Sequence, residues 1–213
     1  MSAHAYTREQ HPLVFVITHW VNLSCMFLLI LSGFYIHKPF LFDGWMGVAR
    51  GVHFFCMFLI LINLIVRVIA AFIVESANQP GGRVKEKDIK NWLPQPENRH
   101  QLWPTVKYYL FMRREHPISG KYNPLQKLAY LVTVPLILIM AYVGFALWGP
   151  TMDWTFFKAG TDLVGGPMNM RIIHYFMMWA FIIFTALHVY LATLYNFNPI
   201  KIMFAWKETG EDH

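Results

Sequence analysis

Charge is scarce in this chain. Asp and Glu number 12 and Lys and Arg 18 among 213 residues, so charged residues make up 14%. A soluble domain carries roughly 25%. Hydrophobic residues reach 56%, which excludes an ordinary soluble globule and points to one compact bundle in a membrane. Cysteine is scarcer still: Cys25 and Cys56 stand apart, each inside an apolar run. No C-x-x-C-H is present, which excludes covalently attached c-type haem. No paired cysteines offer ligands to an iron–sulfur cluster. The polar start, Met1 to His11, lacks the pattern of a cleavable signal. The net charge of +6 does not point to nucleic acid, because the basic residues gather mostly in one inter-span loop, as a topology signal does.

Long apolar runs are what the chain has in quantity. Four spans are expected, over about 12–36, 46–74, 124–148 and 170–197, in a single integral-membrane domain. The segment 75–122 between the second and third is polar and proline-containing. Within it, Thr105 to Arg114 mixes aromatic and basic residues, as a helix lying on the lipid surface does. The loop Gly149 to Pro167 is rich in Gly, Pro and Trp, and Lys201 to His213 reads as a polar tail with Trp206 as an interfacial anchor. Lys and Arg concentrate in the N-terminal segment, the long loop and the C-terminal tail, whereas the two opposite loops hold only Lys38 and Lys158. Both termini and the long loop are therefore expected on the cytoplasmic side. No internal repeat is visible.

The last run carries the chemistry. From Arg171 to Lys201 no formally charged residue intervenes, a stretch roughly 40 Å long as a helix. It contains His174 and, fourteen residues on, His188. Fourteen steps of about 100° fall roughly 40° short of four turns, so both imidazoles share nearly one face, roughly 21 Å apart along the axis. Ionisable groups inside a membrane are expensive and call for a function. The first span carries His19 near its start and the second carries His53 near its start. With the topology above, only His19 with His188 and His53 with His174 match in depth. Each pair can supply both axial ligands of one haem b, a flat, mostly apolar group held without covalent links. Two axial imidazoles favour electron transfer over oxygen binding. The plain alternative for any one histidine is an interhelical hydrogen bond.

Arg50 precedes His53, and Arg171 precedes His174, by three residues, so each pair shares a helix face. A cation at a helix N-terminus opposes the macrodipole and needs an anion, either a haem propionate or a lipid phosphate. Gly33 and Gly51 would let a macrocycle approach the backbone, or would serve ordinary close packing of helices. His4, His11, His37, His100, His116 and His213 read as solvated surface residues.

Several stretches resemble the b-type cytochrome subunit of membrane-bound nickel–iron hydrogenases, and the related gamma subunit of respiratory formate dehydrogenase. They are His19-Trp20 with Ser32-Gly33-Phe34; Met46 through Arg50-Gly51-Val52-His53; Lys121-Tyr122-Asn123-Pro124 through Tyr130; and Arg171-Ile172-Ile173-His174 through His188-Val189-Tyr190. Their order covers all four spans. The resemblance implies a four-helix bundle with two haems b stacked across the membrane and ligated by these four histidines. It also implies an iron–sulfur partner subunit on the outer face and a quinone, menaquinone or ubiquinone, beside the inner haem. Asn123 and His188 match the family's quinone-side positions, and Asn-Pro-Leu at that point is closer to the hydrogenase pattern. One departure is Val16, where the family often has arginine three residues before the first histidine.

The resulting expectation is an all-α, multi-pass di-haem anchor in a bacterial or archaeal cytoplasmic (inner) membrane. Electrons from a hydrogenase- or formate dehydrogenase-type complex enter at the outer haem and reach quinone near Asn123, Lys127 and His188. Lys127 would assist the incoming proton; Asn123 would bond the quinone or simply cap the third span. By itself the chain offers no nickel–iron ligands and no molybdenum-binding domain. The alternative is a self-contained transmembrane haem b reductase fed by a small cytoplasmic donor such as ascorbate. A haem-free proton relay is disfavoured, because no Asp or Glu lies in the four spans.

Overall fold

The computed structural model describes residues 8, 11–40, 43–77, 85–92, 100–115, 124–195 and 198–207. Its elements, in order, are α1 (Leu13–His37), α2 (Met46–Ile73), β1 (Glu75–Ala77), β2 (Lys85–Lys87), α3 (Asp88–Trp92), α4 (Leu102–Tyr109), α5 (Pro124–Leu147), α6 (Thr155–Leu163), α7 (Pro167–Tyr195) and α8 (Asn198–Ala205). Four helices, α1, α2, α5 and α7, are long and apolar enough to cross a membrane. They run 24 to 29 residues, about 36 to 44 Å at the helical rise. Their ends lie within three residues of the spans read from the sequence. Pro124 and Pro167 occupy first helical positions, where a missing N–H costs nothing. Pro135 sits inside α5, a placement that membrane helices tolerate better than soluble ones.

The chain divides into two compact units, 1–131 with 190–213, and 132–189. In the first, α1 and α2 pack along their length through Cys25, Cys56 and Ile60, flanked by Val21, Leu29 and Val52. The two cysteines that look isolated in sequence are thus neighbours, both free thiols. Asn63 of α2 donates to the carbonyl of Thr18 at 2.8 Å and to Asn22 Oδ1 at 2.7 Å, both on α1. In hydrocarbon such interhelical bonds have no water to compete with.

Below α2, β1 and β2 pair antiparallel, with Ser76 opposite Glu86. They deliver Asp88, the first residue of α3, to the side chain of Arg67 near the end of α2. Helix α4 overlaps the first half of the stretch expected to form a surface helix, beginning three residues before it, and Tyr190 of α7 donates to the carbonyl of its Tyr109 at 3.2 Å. The C-terminal stretch is not merely a polar tail: it begins with α8, and Trp20 Nε1 donates to the Met203 carbonyl at 2.6 Å. Trp206 Nε1 donates to the His11 carbonyl at 3.2 Å, and Arg8 stacks on the Trp206 ring.

In the second unit the segment read as a loop rich in Gly, Pro and Trp contains α6. It ends in a Schellman cap, with Gly166 N bonded to Thr161 O and Gly165 N to Asp162 O. Gly165 and Gly166 take φ of +87° and +110°, which side chains rarely adopt. Phe157 of α6 packs with Tyr142, Val143 and Ala146 of α5 and with Met170 of α7. Tyr142 donates its hydroxyl to the Phe156 carbonyl at 2.8 Å.

Candidate functional site

His19 sits on α1 between Thr18, whose carbonyl receives Asn63, and Asn22. Its ring is half-buried and stands edge-on to that of Trp20. The Thr18 hydroxyl is turned back to the Val14 carbonyl at 2.8 Å, which satisfies it without disturbing the helix. Higher on the same pair of helices, His53 of α2 lies 2.9 Å through Nδ1 from Ser32 Oγ of α1. His53 Cε1 also packs against Gly33, where an added Cβ would meet it at 3.5 Å. The bond to Ser32 puts His53 at the level of residue 32 on α1, thirteen residues beyond His19. At about 1.5 Å per residue the two imidazoles of this unit are separated by roughly 20 Å along the axis.

In the second unit one continuous helix, α7, carries both His174 and His188. Fourteen residues of helix separate them, roughly 21 Å. His174 is half-buried beside the cluster around Met170, and His188 is exposed with the Phe184 ring nearly parallel to its own. Each unit thus carries one candidate pair of imidazoles, and the two pairs have nearly the same axial spacing.

The other expected residues are placed as follows. Arg50 and Arg171 are both exposed, each three residues before its histidine on one helix. A Cβ at Gly51 would meet nothing within 4 Å. Lys127, expected to assist the incoming proton, is buried, at 6% exposure, in the first turn of α5. Asn123 lies outside the described residues, so the structure does not address its role. His37 is the last residue of α1 rather than part of a loop. Sequence reading gave no role to Asn63, Asn22 or Ser32; the last was visible only as part of a Ser-Gly pair.

A b-type haem brings four nitrogens of its own to iron and needs two from protein. Among the described residues no three His, Cys, Asp or Glu side chains converge as a protein-only metal centre would require. Single imidazoles on apolar helices, one with its Nδ1 held by a hydroxyl so that Nε2 faces away, fit the haem requirement.

An all-α, multi-pass membrane protein with imidazoles at two levels is the class these features define. Residues 10–206 match the family model described as prokaryotic cytochrome b561, and the chain belongs to that family. It is therefore a b-type cytochrome, a haem b protein of membrane electron transfer. Among its relatives, a putative protein-methionine-sulfoxide reductase subunit of Azospira oryzae is 26% identical over 195 residues, covering 86% of this chain and 90% of the relative. The probable Ni/Fe-hydrogenase 1 B-type cytochrome subunit of Escherichia coli strain K12 is 25% identical over 198 residues, covering 83% and 78%. The probable Ni/Fe-hydrogenase B-type cytochrome subunit of Azotobacter vinelandii is 27% identical over 187 residues, covering 82% and 75%.

Proposed function

We propose that this single-domain chain is the di-haem membrane subunit of a quinone-linked oxidoreductase complex of the hydrogenase type. His19 with His188 hold the inner haem, and His53 with His174 the outer one. The observation that carries this reading is the matched spacing, roughly 20 Å between His19 and His53 and roughly 21 Å between His174 and His188. Two helix systems with the same step can each present one ligand at two levels. Bound haem b supplies one-electron ferric–ferrous chemistry.

The chain's own residues account for the rest. These four imidazoles would hold the two haems, and haem held by two imidazoles would carry electrons rather than bind dioxygen. Arg50 and Arg171 offer cations to the propionates of the outer haem, where each also relieves its own repulsion from a helix N-terminus. On the inner side Asn123 donates to a quinone carbonyl, and His188 and Lys127 lie along the route of the incoming proton. The excess of Lys and Arg supports a topology with both termini and segment 75–122 in the cytoplasm of a bacterial or archaeal cell and an iron–sulfur subunit docking outside. Quinone reduction fed from outside, with protons drawn from inside, contributes to the membrane potential.

The relative named for methionine-sulfoxide reductase supports a second reading of direction. The same two sites would then carry electrons outward from quinol to a reductase partner.

The test begins with haem content: two haems b per chain are expected from the purified protein. His174→Ala removes one spectral component and His188→Ala the other; loss of the same component in both variants defeats the pairing. Asn123→Ala with both haems retained slows quinone reduction severalfold, as the loss of roughly 1 kcal/mol of hydrogen bonding produces. Unchanged quinone kinetics removes Asn123 from the site. Which way electrons run is read from whether the copurifying partner reduces the haems or oxidises them.

A further inference from the structure

Ser32 is buried near the end of α1, and its hydroxyl has three neighbours: the Leu28 carbonyl at 2.6 Å, the Leu29 carbonyl at 3.2 Å, and His53 Nδ1 at 2.9 Å. A serine hydroxyl has one proton and two lone pairs. A carbonyl oxygen only accepts, so the short contact to Leu28 takes that proton. What Ser32 presents to the imidazole is a lone pair. The proton between them therefore belongs to His53 Nδ1, and the neutral ring is the tautomer whose Nε2 carries the lone pair. Gly33 lies against Cε1 of the same ring. The imidazole is thus bonded at Nδ1 and packed at Cε1, which restricts its rotation.

We infer that Ser32 is a positioning residue for the outer haem: it selects the Nδ1–H tautomer of His53, holds the ring, and strengthens Nε2 as an electron donor to iron. The inference rests on the reading of His53 as an axial ligand. An N–H that donates to an acceptor leaves the opposite nitrogen richer in electrons, which is why histidines bound to metals usually make such a bond. A richer ligand stabilises ferric iron over ferrous. Ser32 therefore lowers the potential of the haem bound by His53, with no contact of its own to the iron. An uncharged hydroxyl is a weaker acceptor than a carboxylate, so the effect is a moderate one.

The experiment is a redox titration of the full chain in membranes, followed in the α-band and by the electron paramagnetic resonance of the ferric state. His53→Ala first identifies the component that depends on His53. Ser32→Ala is expected to raise the midpoint of that component alone. At a fixed ambient potential its ferric-to-ferrous ratio falls by up to about tenfold, equivalent to about 59 mV for one electron. Ser32→Thr keeps the hydroxyl and restores the original midpoint. Ser32→Cys keeps the volume with a weaker acceptor and falls between Ala and Ser, so the order is testable even if the alanine variant loses haem. If Ser32→Ala and Ser32→Cys both leave the midpoint and the ferric spectrum unchanged while His53→Ala removes a component, Ser32 only packs and the inference is wrong. If His53→Ala leaves both components intact, the ligand assignment itself fails and takes the inference with it.

Discussion

The guanidinium of Arg67 and the carboxylate of Asp88 meet at 2.8 Å, with Asp88 fully buried at 0% exposure. The same carboxylate accepts from Trp92 Nε1 at 3.0 Å and from Ser76 Oγ at 3.2 Å. The guanidinium lies over Phe15 at 4.1 Å and over Trp92 at 4.8 Å. A cation six residues inside an apolar helix thus finds its anion in the loop that follows, and the loop in turn is held to the helix.

Breaking that pair removes a buried charge-assisted contact. Asp88→Ala is expected to destabilise the protein by roughly 3 kcal/mol, because Arg67 would lose the fully buried carboxylate it faces. The double variant Arg67→Met with Asp88→Ala should recover much of that loss. Thermal unfolding in detergent, followed by the haem band, measures both. Additive losses in the double variant would contradict this coupling.

Asn63 offers a second, smaller test. It donates to both Thr18 and Asn22, and so links α2 to α1 at the level of His19. Asn63→Leu should cost about 1 kcal/mol, in the range of interhelical hydrogen bonds in membranes. Because that link sits beside His19, the component assigned to the inner haem should broaden or lose occupancy before the outer one does. Haem-resolved spectra of the variant check this.

Helix α6 has three kinds of face. Phe157 and Gly160 turn toward α5; Lys158 and Asp162 are exposed and polar; Phe156 and Leu163 are exposed at 70% and 87%. Seven residues bring Phe156 and Leu163 back to within about 20° of one direction. The helix also bonds to Tyr142, five residues before the end of α5, which puts it roughly 7.5 Å below that end. The apolar stripe is expected in the outer interface of the bilayer. A cysteine at position 163 should then react far more slowly with a membrane-impermeant maleimide than one at 158 or 162. Equal rates would place the stripe in water or on a soluble partner.

The spans were legible because membrane helices announce themselves by length and by missing charge, and their ends moved by no more than three residues. Histidine placement was legible for a related reason: a polar ring inside an apolar run stands out. What the sequence hid were relationships across the chain. Nothing local to Arg67 points to Asp88, 21 residues away across the hairpin. Cys25 and Cys56 look solitary until α1 and α2 pair. Helix α6 escaped notice because Gly160, Gly165 and Gly166 lower local helix propensity, while its support comes from packing on Tyr142 and Phe145. The burial of Lys127 at the start of α5 likewise comes from packing that its local sequence does not show.

The clasp between Trp206 and His11, with Arg8 stacked on the same indole, carries a topological consequence. Two points of a chain that touch must lie in the same aqueous compartment or at the same membrane surface. Between Arg8 and Trp206 the polypeptide is therefore a closed excursion, and it must cross the bilayer an even number of times. Losing or gaining one span, by misinsertion of the proline-bearing α5 for instance, would leave Trp206 and His11 on opposite sides. The clasp can form only when the number of crossings between its two ends is even, so an error in any single span is enough to prevent it.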